Sequence, residues 1–232
     1  MLLKDLIIKQ CSSGLMSKPL PKIIAALKNR HSVTMLEDFR EKYTPFQILV
    51  STVMSARTKD STTIPIAQKL FQKYQNPADF ITLTQNKLEE LIYGTGFYRT
   101  KAKHIKQLSQ ILHDQYKDKV PRSMDQLLQL PGVGRKTANC VLAYAFRIPS
   151  IPVDVHVHRI SNRIGLVETK TPEETEQALL KTIPKEHWLD INELLVTHGQ
   201  TICLPRTPQC PKCPITEWCN YYQKHSNRNK EV

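Results

Sequence analysis

Glycine, acidic residues and long apolar runs are all scarce in this 232-residue sequence. Seven glycines are few for an all-β protein, which needs glycine in many of its turns, so the composition favours helices. No run reaches the roughly eighteen apolar residues of a membrane-spanning helix, which excludes such spans. Near the N-terminus, Lys4, Asp5 and Lys9 interrupt the apolar stretch before the core of a signal peptide could form. We therefore expect an intracellular protein.

Basic residues outnumber acidic residues: 33 Lys and Arg stand against 21 Asp and Glu, a formal net charge of +12. Such an excess favours a polyanionic partner, because basic surfaces gain affinity by releasing counterions from phosphates. Ribosomal binding and binding to an anionic membrane surface would have the same signature. With 40% hydrophobic and 23% charged residues, the chain is too apolar for a disordered protein. Its length allows one large domain or two small ones.

Four of the six cysteines crowd the C-terminal part of the sequence, at Cys203, Cys210, Cys213 and Cys219. Intracellular thiols stay reduced, so this clustering favours a metal site over disulfides. Thiolates bind both zinc and iron–sulfur clusters, and short Cys-x2-Cys pairs are common in zinc sites. Thiolate chemistry by itself leaves both groups open.

A glycine-containing turn at residues 130–138, Leu-Pro-Gly-Val-Gly-Arg-Lys-Thr-Ala, separates two apolar helical runs. Pro131 ends the first helix because it cannot donate a backbone hydrogen bond, and Gly132 and Gly134 allow positive φ angles before the second. Backbone N–H groups and the positive dipole end at the start of the second helix favour a bound phosphate. The same field disfavours an ammonium ion on Lys136, in the first turn, and so favours an activatable amine. The alternative is an ordinary Gly-x-Gly turn with a solvated lysine.

Four basic residues and no acidic one occur between residues 99 and 106, directly after an aromatic pair at residues 97–98. The four are Arg99, Lys101, Lys103 and Lys106. A basic stripe beside an exposed aromatic pair is typical of a face that binds nucleic acid. An ordinary surface helix with solvated lysines would have the same sequence.

The segment Val-Asp-Val-His-Val-His at residues 153–158 has two structural interpretations. Its alternation is typical of a half-buried strand, whereas Asp154 could equally cap a helix that begins at Val155. No other stretch alternates convincingly, and an isolated strand would have nothing to pair with. We therefore predict a helix.

These features together resemble one protein family. The hairpin motif at 130–138, an aspartate eighteen residues after Lys136, and four cysteines with x6-x2-x5 spacing closely resemble the helix-hairpin-helix DNA glycosylases of the endonuclease III branch. The resemblance extends from about residue 22 to residue 222. It implies an all-α, two-domain helix-hairpin-helix DNA glycosylase fold. A six-helix barrel domain containing the hairpin would occupy residues 38–148, an iron–sulfur cluster domain residues 19–37 and 149–232, and an N-terminal extension residues 1–18.

The resemblance also implies a function in base excision repair. The enzyme would remove oxidised pyrimidines from duplex DNA and cleave the abasic site by β-elimination. Lys136 matches the catalytic lysine, which forms a Schiff base with the sugar, and Asp154 matches the essential aspartate. The four cysteines would hold a [4Fe–4S] cluster. The expected partner is double-stranded DNA with damaged bases or abasic sites, bound by a monomer, without involvement of a membrane.

Further residues are expected to contact DNA at the hairpin, at two other turns and in the cysteine loop, the segment 203–219 that contains the four cysteines. They are Gly132, Gly134, Arg135, Arg57, Phe97, Arg99 and Arg206. Arg57 and Phe97 stand where glutamine and leucine are frequent in the family, which affects the expected preference for the opposite base. Arg159 and Arg163, spaced for one helix face, are expected to contact phosphate or to be solvated, and His156 to pack beneath the site.

Two other functions fit parts of the sequence. A mismatch or purine-lesion glycosylase could use the same scaffold, although mismatch-specific relatives with this cluster carry another residue at the position of Lys136. A non-catalytic helix-hairpin-helix DNA-binding module with a structural zinc would share the hairpin and the cysteines. Nicking of abasic-site DNA would distinguish the catalytic function from the non-catalytic one, because only an enzyme would cut the strand.

Overall fold

The fold is all-α, as predicted. The computed structural model describes residues 18–30 and 32–226, and every regular element among them is helical. Within those residues, no helix is long and apolar enough to cross a membrane. The predicted N-terminal extension at residues 1–18 lies, except for its last residue, outside the described residues.

The helices follow one another with short connections. They are α1 (Leu20–Lys28), α2 (Met35–Lys42), α3 (Pro45–Ser55), α4 (Asp60–Phe71), α5 (Pro77–Thr82), α6 (Gln85–Leu91), α7 (Tyr98–Tyr116), α8 (Met124–Leu128), α9 (Arg135–Cys140), α10 (Val155–Ile164), α11 (Pro172–Thr182), α12 (Trp188–Thr201) and α13 (Asn220–Ser226). A π-helical segment, Val141–Ala145, continues α9, and short 3₁₀ turns occur at Lys185–His187, Cys210–Lys212 and Thr216–Trp218.

The chain divides into two compact units. Among the described residues, 33–152 form one unit, and residues 18–30, residue 32 and residues 153–226 form the other. The domain boundaries expected from the sequence, at residues 38 and 149, lie a few residues from this division. The discontinuous organisation means that the second unit joins α1 to α10–α13.

The first unit begins several of its helices with side-chain caps. The side chains of Thr34, Thr44 and Asn76 each accept a hydrogen bond from the backbone N–H of the residue three positions later. The side chain of that later residue accepts a hydrogen bond from the backbone N–H of the capping residue. This capping box satisfies two backbone donors that a helix start leaves without a partner. These local signals explain where α2, α3 and α5 begin.

The core of the first unit surrounds α3, whose residues 46–54 are all buried. Its sequence is apolar almost all round, and only a helix covered on every side tolerates that. Phe46 meets Phe80 of α5 edge to face, with the ring centroids 5.2 Å apart. The long helix α7 packs along α5 and α6 and carries the aromatic and basic residues at its N-terminal end.

The second unit is organised by α10, which packs against α12 and α13, while α12 also packs against α1. Gly165 ends α10 in the left-handed conformation, with φ of +86°. A Cβ atom there would lie 2.1 Å from the Nδ2 atom of Asn220. Only glycine allows α13 to approach so closely, and this approach places Cys219 beside the end of α10.

Candidate functional site

The hairpin turn lies between α8 and α9 and depends on Gly132. This residue has φ of +79°, and a Cβ atom would lie 2.8 Å from the Nδ1 atom of His104 on α7. Glycine is therefore required by both conformation and space. At Gly134 a Cβ atom would meet nothing within 4 Å, so the backbone that leads into α9 borders open space.

Lys136 is the second residue of α9 and is half-buried, as is Arg135 before it. The residues that follow, Thr137 to Cys140, are buried. The helix then continues in π-helical form, which nothing in an apolar run signals in advance. Short π-helical segments are frequent near functional sites. The structure thus places Lys136 in the first turn after the hairpin, where the sequence predicted it.

Asp154 is the N-cap of α10, so the helical interpretation of residues 153–158 was right. Its Oδ1 atom accepts hydrogen bonds from the backbone N–H groups of His156 (2.8 Å) and Val157 (2.9 Å). A carboxylate at this end of a helix is stabilised by the dipole. Because both bonds go to one oxygen, the cap does not use Oδ2. His156 itself packs against Gly199, whose Cβ atom would lie 2.6 Å from the His156 Nδ1 atom.

Arg57 and Phe97 lie together although forty residues separate them in the chain. Both have left-handed backbones, with φ of 53° at Arg57 and 57° at Phe97. The Arg57 guanidinium carbon stands 5.7 Å from the centre of the Phe97 ring, which suits a cation–π contact. Phe97 is 66% exposed. An exposed aromatic in this conformation is unusual, and Arg57 is exposed as well.

The expected basic stripe on α7 is only partly present. Arg99 is exposed, with its guanidinium 5.3 Å from the Tyr98 ring and 3.8 Å from a Glu89 oxygen, and Lys103 is exposed. Lys101, by contrast, is buried and donates to the Met54 carbonyl.

Lys106 turns inward as well, toward the carbonyls of Ile81 and Leu83 at the end of α5. Long aliphatic stems allow lysine amines to reach carbonyls at helix C-termini. The prediction of a basic stripe on an exposed face was therefore wrong for Lys101 and Lys106.

Arg159 and Arg163 are half-buried, and both donate hydrogen bonds to the segment that begins at Cys203. Arg159 donates to the carbonyls of Cys203 (2.8 Å) and Gly199 (3.2 Å). Arg163 donates to the Cys203 sulfur (3.2 Å) and to the carbonyls of Leu204 and Pro205. The alternative that both residues are simply solvated was therefore wrong, and contact with phosphate stays a prediction. These hydrogen bonds hold the start of the cysteine loop against α10.

The four cysteines line a single pocket in the second unit. Its other lining residues include Arg163, His198 and four isoleucines, Ile160, Ile164, Ile202 and Ile215. Burial raises the pKa of the Cys213 thiol to about 11. Thiols in such a pocket ionise when a bound cation compensates their charge. The donor set and its surroundings therefore fit a tetrathiolate metal centre.

Among the residues that the structure describes, the side chains as placed form no group of three or more His, Cys, Asp or Glu residues that could hold a metal ion. The pocket therefore brings the four thiols together without a preformed ligand set. Arg206, expected to contact DNA, is exposed on the loop between Cys203 and Cys210.

Comparison with known proteins gives one consistent family. The model of the HhH-GPD superfamily of base excision DNA repair proteins matches residues 50–185. Endonuclease III of Thermotoga maritima is 47% identical over 78% of this chain and 84% of its own length, and that of Bacillus subtilis is 38% identical over 79% and 84%.

Solved structures agree with the sequence relatives. A trapped endonuclease III–DNA covalent intermediate superposes with a TM-score of 0.79 at 35% identity, covering 89% of this chain and 97% of that one. A thermostable thymine-DNA glycosylase superposes with a TM-score of 0.77 at 26% identity, covering 88% and 95%.

Proposed function

Because the chain belongs to the endonuclease III family of HhH-GPD base excision DNA repair proteins, we propose that it is a bifunctional DNA glycosylase and abasic-site lyase. Its substrates are oxidised pyrimidines in duplex DNA and the abasic sites left after their removal. The observation that carries this proposal is Lys136, in the first turn of the helix after the hairpin. The similarity to an endonuclease III trapped covalently on DNA supports a lysine nucleophile.

The chemistry follows from a neutral amine at Lys136. Once the damaged nucleotide is turned out of the duplex, the Nζ atom bonds to C1′ of the sugar. The C1′–N glycosidic bond breaks, and its electron pair leaves with the base, which takes up a proton. Opening of the sugar ring converts the adduct to a Schiff base. Loss of a proton from C2′ then expels the 3′ phosphate oxygen, which cuts the strand.

Asp154 has the charge that this reaction needs. The sugar becomes positively charged as the base departs, and a fixed carboxylate lowers the energy of that state. The α10 backbone holds the side chain through Oδ1, which leaves Oδ2 for electrostatic and proton-transfer work.

Seven residues would hold the DNA. Gly132, Gly134 and Arg135 would bind phosphate at the hairpin, and Arg99 and Arg206 would add phosphate contacts. Arg57 and Phe97 would insert into the duplex at the damaged position, since a protruding aromatic can unstack a base step. Their joint exposure and mutual contact support this role.

Cys203, Cys210, Cys213 and Cys219 would hold a [4Fe–4S] cluster, as family membership implies. Thiolates are the ligands of such clusters, and the four cysteines line one pocket, which supports a shared site. The cluster would serve to shape the loop that carries Arg206. Broad visible absorbance of the purified protein tests this, and a colourless zinc-loaded preparation would refute it.

Borohydride trapping tests the lysine. Wild-type protein, incubated with a duplex that contains one oxidised pyrimidine and then reduced, should form a stable protein–DNA adduct. Lys136→Gln should reduce the adduct and strand cleavage to background. Lys69→Gln, which removes an exposed lysine on α4, is the matched control and should trap as wild type does. An undiminished adduct with Lys136→Gln would remove this residue from its assigned role.

A mismatch glycosylase is the second candidate, favoured by the similarity to a thymine-DNA glycosylase. A panel of duplexes with single defined lesions or mismatches, scored separately for base release and strand cleavage, separates the two. We further propose that the protein acts as a monomer inside the cell, where its DNA substrate lies.

A further inference from the structure

A buried lysine joins the two turns that carry Arg57 and Phe97. Lys101, on the first turns of α7, is only 6% exposed. Its Nζ atom donates to the Met54 carbonyl at 2.6 Å and to the Thr58 hydroxyl at 2.9 Å. These two acceptors flank Arg57 in the sequence. One amine therefore fixes the end of α3 and the turn that follows it.

Thr58 extends this connection to the second turn. Its hydroxyl oxygen also accepts a hydrogen bond from the backbone N–H of Gly96, at 3.0 Å. A Cβ atom at Gly96 would lie 3.0 Å from the Arg57 carbonyl oxygen, so the two turns are packed backbone to backbone. Lys101, Thr58 and Gly96 thus form a continuous set of hydrogen bonds directly beneath Arg57 and Phe97.

The two exposed residues need such support. A left-handed conformation at a bulky residue is unfavourable and persists only where its surroundings enforce it. Both Arg57 and Phe97 adopt it, and Phe97 has most of its ring in solvent, where packing cannot enforce it. The hydrogen bonds beneath the pair are the enforcing contacts.

The chemistry of the buried side chain fits this role. Burial lowers the pKa of Lys101 to about 8, because removal from water disfavours the charged amine. An unbranched apolar side chain of similar length would fill the same space without that cost. The amine is useful here because it donates to two acceptors in two directions, which no apolar side chain can do.

We propose that Lys101 is a positioning residue, which holds Arg57 and Phe97 in the conformation that inserts into duplex DNA. This inference rests on the proposed function, because it takes Arg57 and Phe97 as the inserting pair. It predicts that Lys101 matters when a duplex must be opened and matters little when the target nucleotide is already unpaired.

The test compares two abasic-site substrates of identical sequence, one fully paired and one with the site inside a bubble of non-complementary bases. Borohydride-trapping rates are measured for wild type, Lys101→Met and the control Lys69→Met. Lys101→Met should trap about tenfold or more slowly on the paired substrate and within about twofold of wild type on the bubble. Lys69→Met should match wild type on both.

A double variant checks that Lys101 acts through Phe97. Phe97→Ala alone should lose trapping on the paired substrate, and adding Lys101→Met should cause no further loss. If Lys101→Met is poorly folded by circular dichroism, Thr58→Val removes the shared hydroxyl with little change in shape and should show the same dependence on substrate.

Three results would overturn the inference: equal losses on both substrates, no loss on either, or an additive loss in the double variant. Failure of the proposed function has a different signature, because wild-type protein would then trap on neither substrate.

Discussion

In the proposed function, Asp154 would combine a structural and a chemical role on one side chain. Through Oδ1 it caps α10, and it does so with two backbone hydrogen bonds of 2.8 and 2.9 Å. A helix cap alone would explain an aspartate at this position, since aspartate and asparagine are both preferred there. Substitutions that keep the cap and remove the charge can therefore separate the two roles.

Asp154→Asn should leave the melting temperature close to that of wild type, because asparagine caps a helix about as well as aspartate does. Base release should fall by about a hundredfold or more, since the negative charge near the developing cation is lost. Asp154→Ala should show the same loss of activity and, in addition, destabilise the protein by about 0.5–2 kcal/mol. Single-turnover kinetics and thermal unfolding measure the two effects. Full activity in Asp154→Asn would reduce the residue to a cap.

At the scale of elements, the hairpin depends on a glycine that packs against a different helix. Gly132 has a positive φ and almost touches His104 of α7, whereas Gly134 has an extended backbone and an open side. Glycine is thus favoured at these two positions of one motif for different physical reasons. The first shapes the turn, and the second leaves open space beside the start of α9.

Gly132→Ala should destabilise the protein by about 1–3 kcal/mol, because the left-handed conformation and the contact with His104 are both penalised. Gly134→Ala should leave stability within about 0.5 kcal/mol of wild type and should weaken DNA binding, because the added methyl group stands where a phosphate would approach. Chemical denaturation and fluorescence anisotropy on an abasic-site duplex check the pair. Equal stability losses in the two variants would contradict this assignment.

For the whole molecule, the net charge of +12 overstates the surface available to DNA. Lys101 and Lys106 are bound to helix-terminal carbonyls, and Arg159 and Arg163 to the cysteine loop. These cations stabilise the fold. In the proposed function, exposed groups such as Arg99 and Arg206 would bind phosphate.

The salt dependence of DNA binding measures how many cations take part. If Arg99, Arg135 and Arg206 each neutralise one phosphate, log K should fall against log salt with a slope of about −2.7. Arg206→Gln should reduce the slope to about −1.8, whereas Arg159→Gln should leave it unchanged, because its guanidinium is occupied inside the second unit. An unchanged slope in Arg206→Gln would show that the cysteine loop does not meet the DNA backbone.

Local chemistry in the sequence was sufficient for much of this structure. Prolines, glycines and helix caps act within a few residues, so the hairpin at 130–138 and the helix that begins after Asp154 could be predicted without any tertiary information. The spacing of the four cysteines likewise predicted a shared site, and the structure brings them to one pocket.

Tertiary structure alone decided where the long cationic side chains go. A lysine or arginine can reach about as far inward as outward, and its direction depends on which carbonyls the packing brings within reach. Lys101 meets Met54 and Thr58 across more than forty residues of sequence, a distance over which no periodicity carries information. The left-handed pair Arg57 and Phe97 is determined in the same way, because the contacts that hold it form only when the two turns pack together.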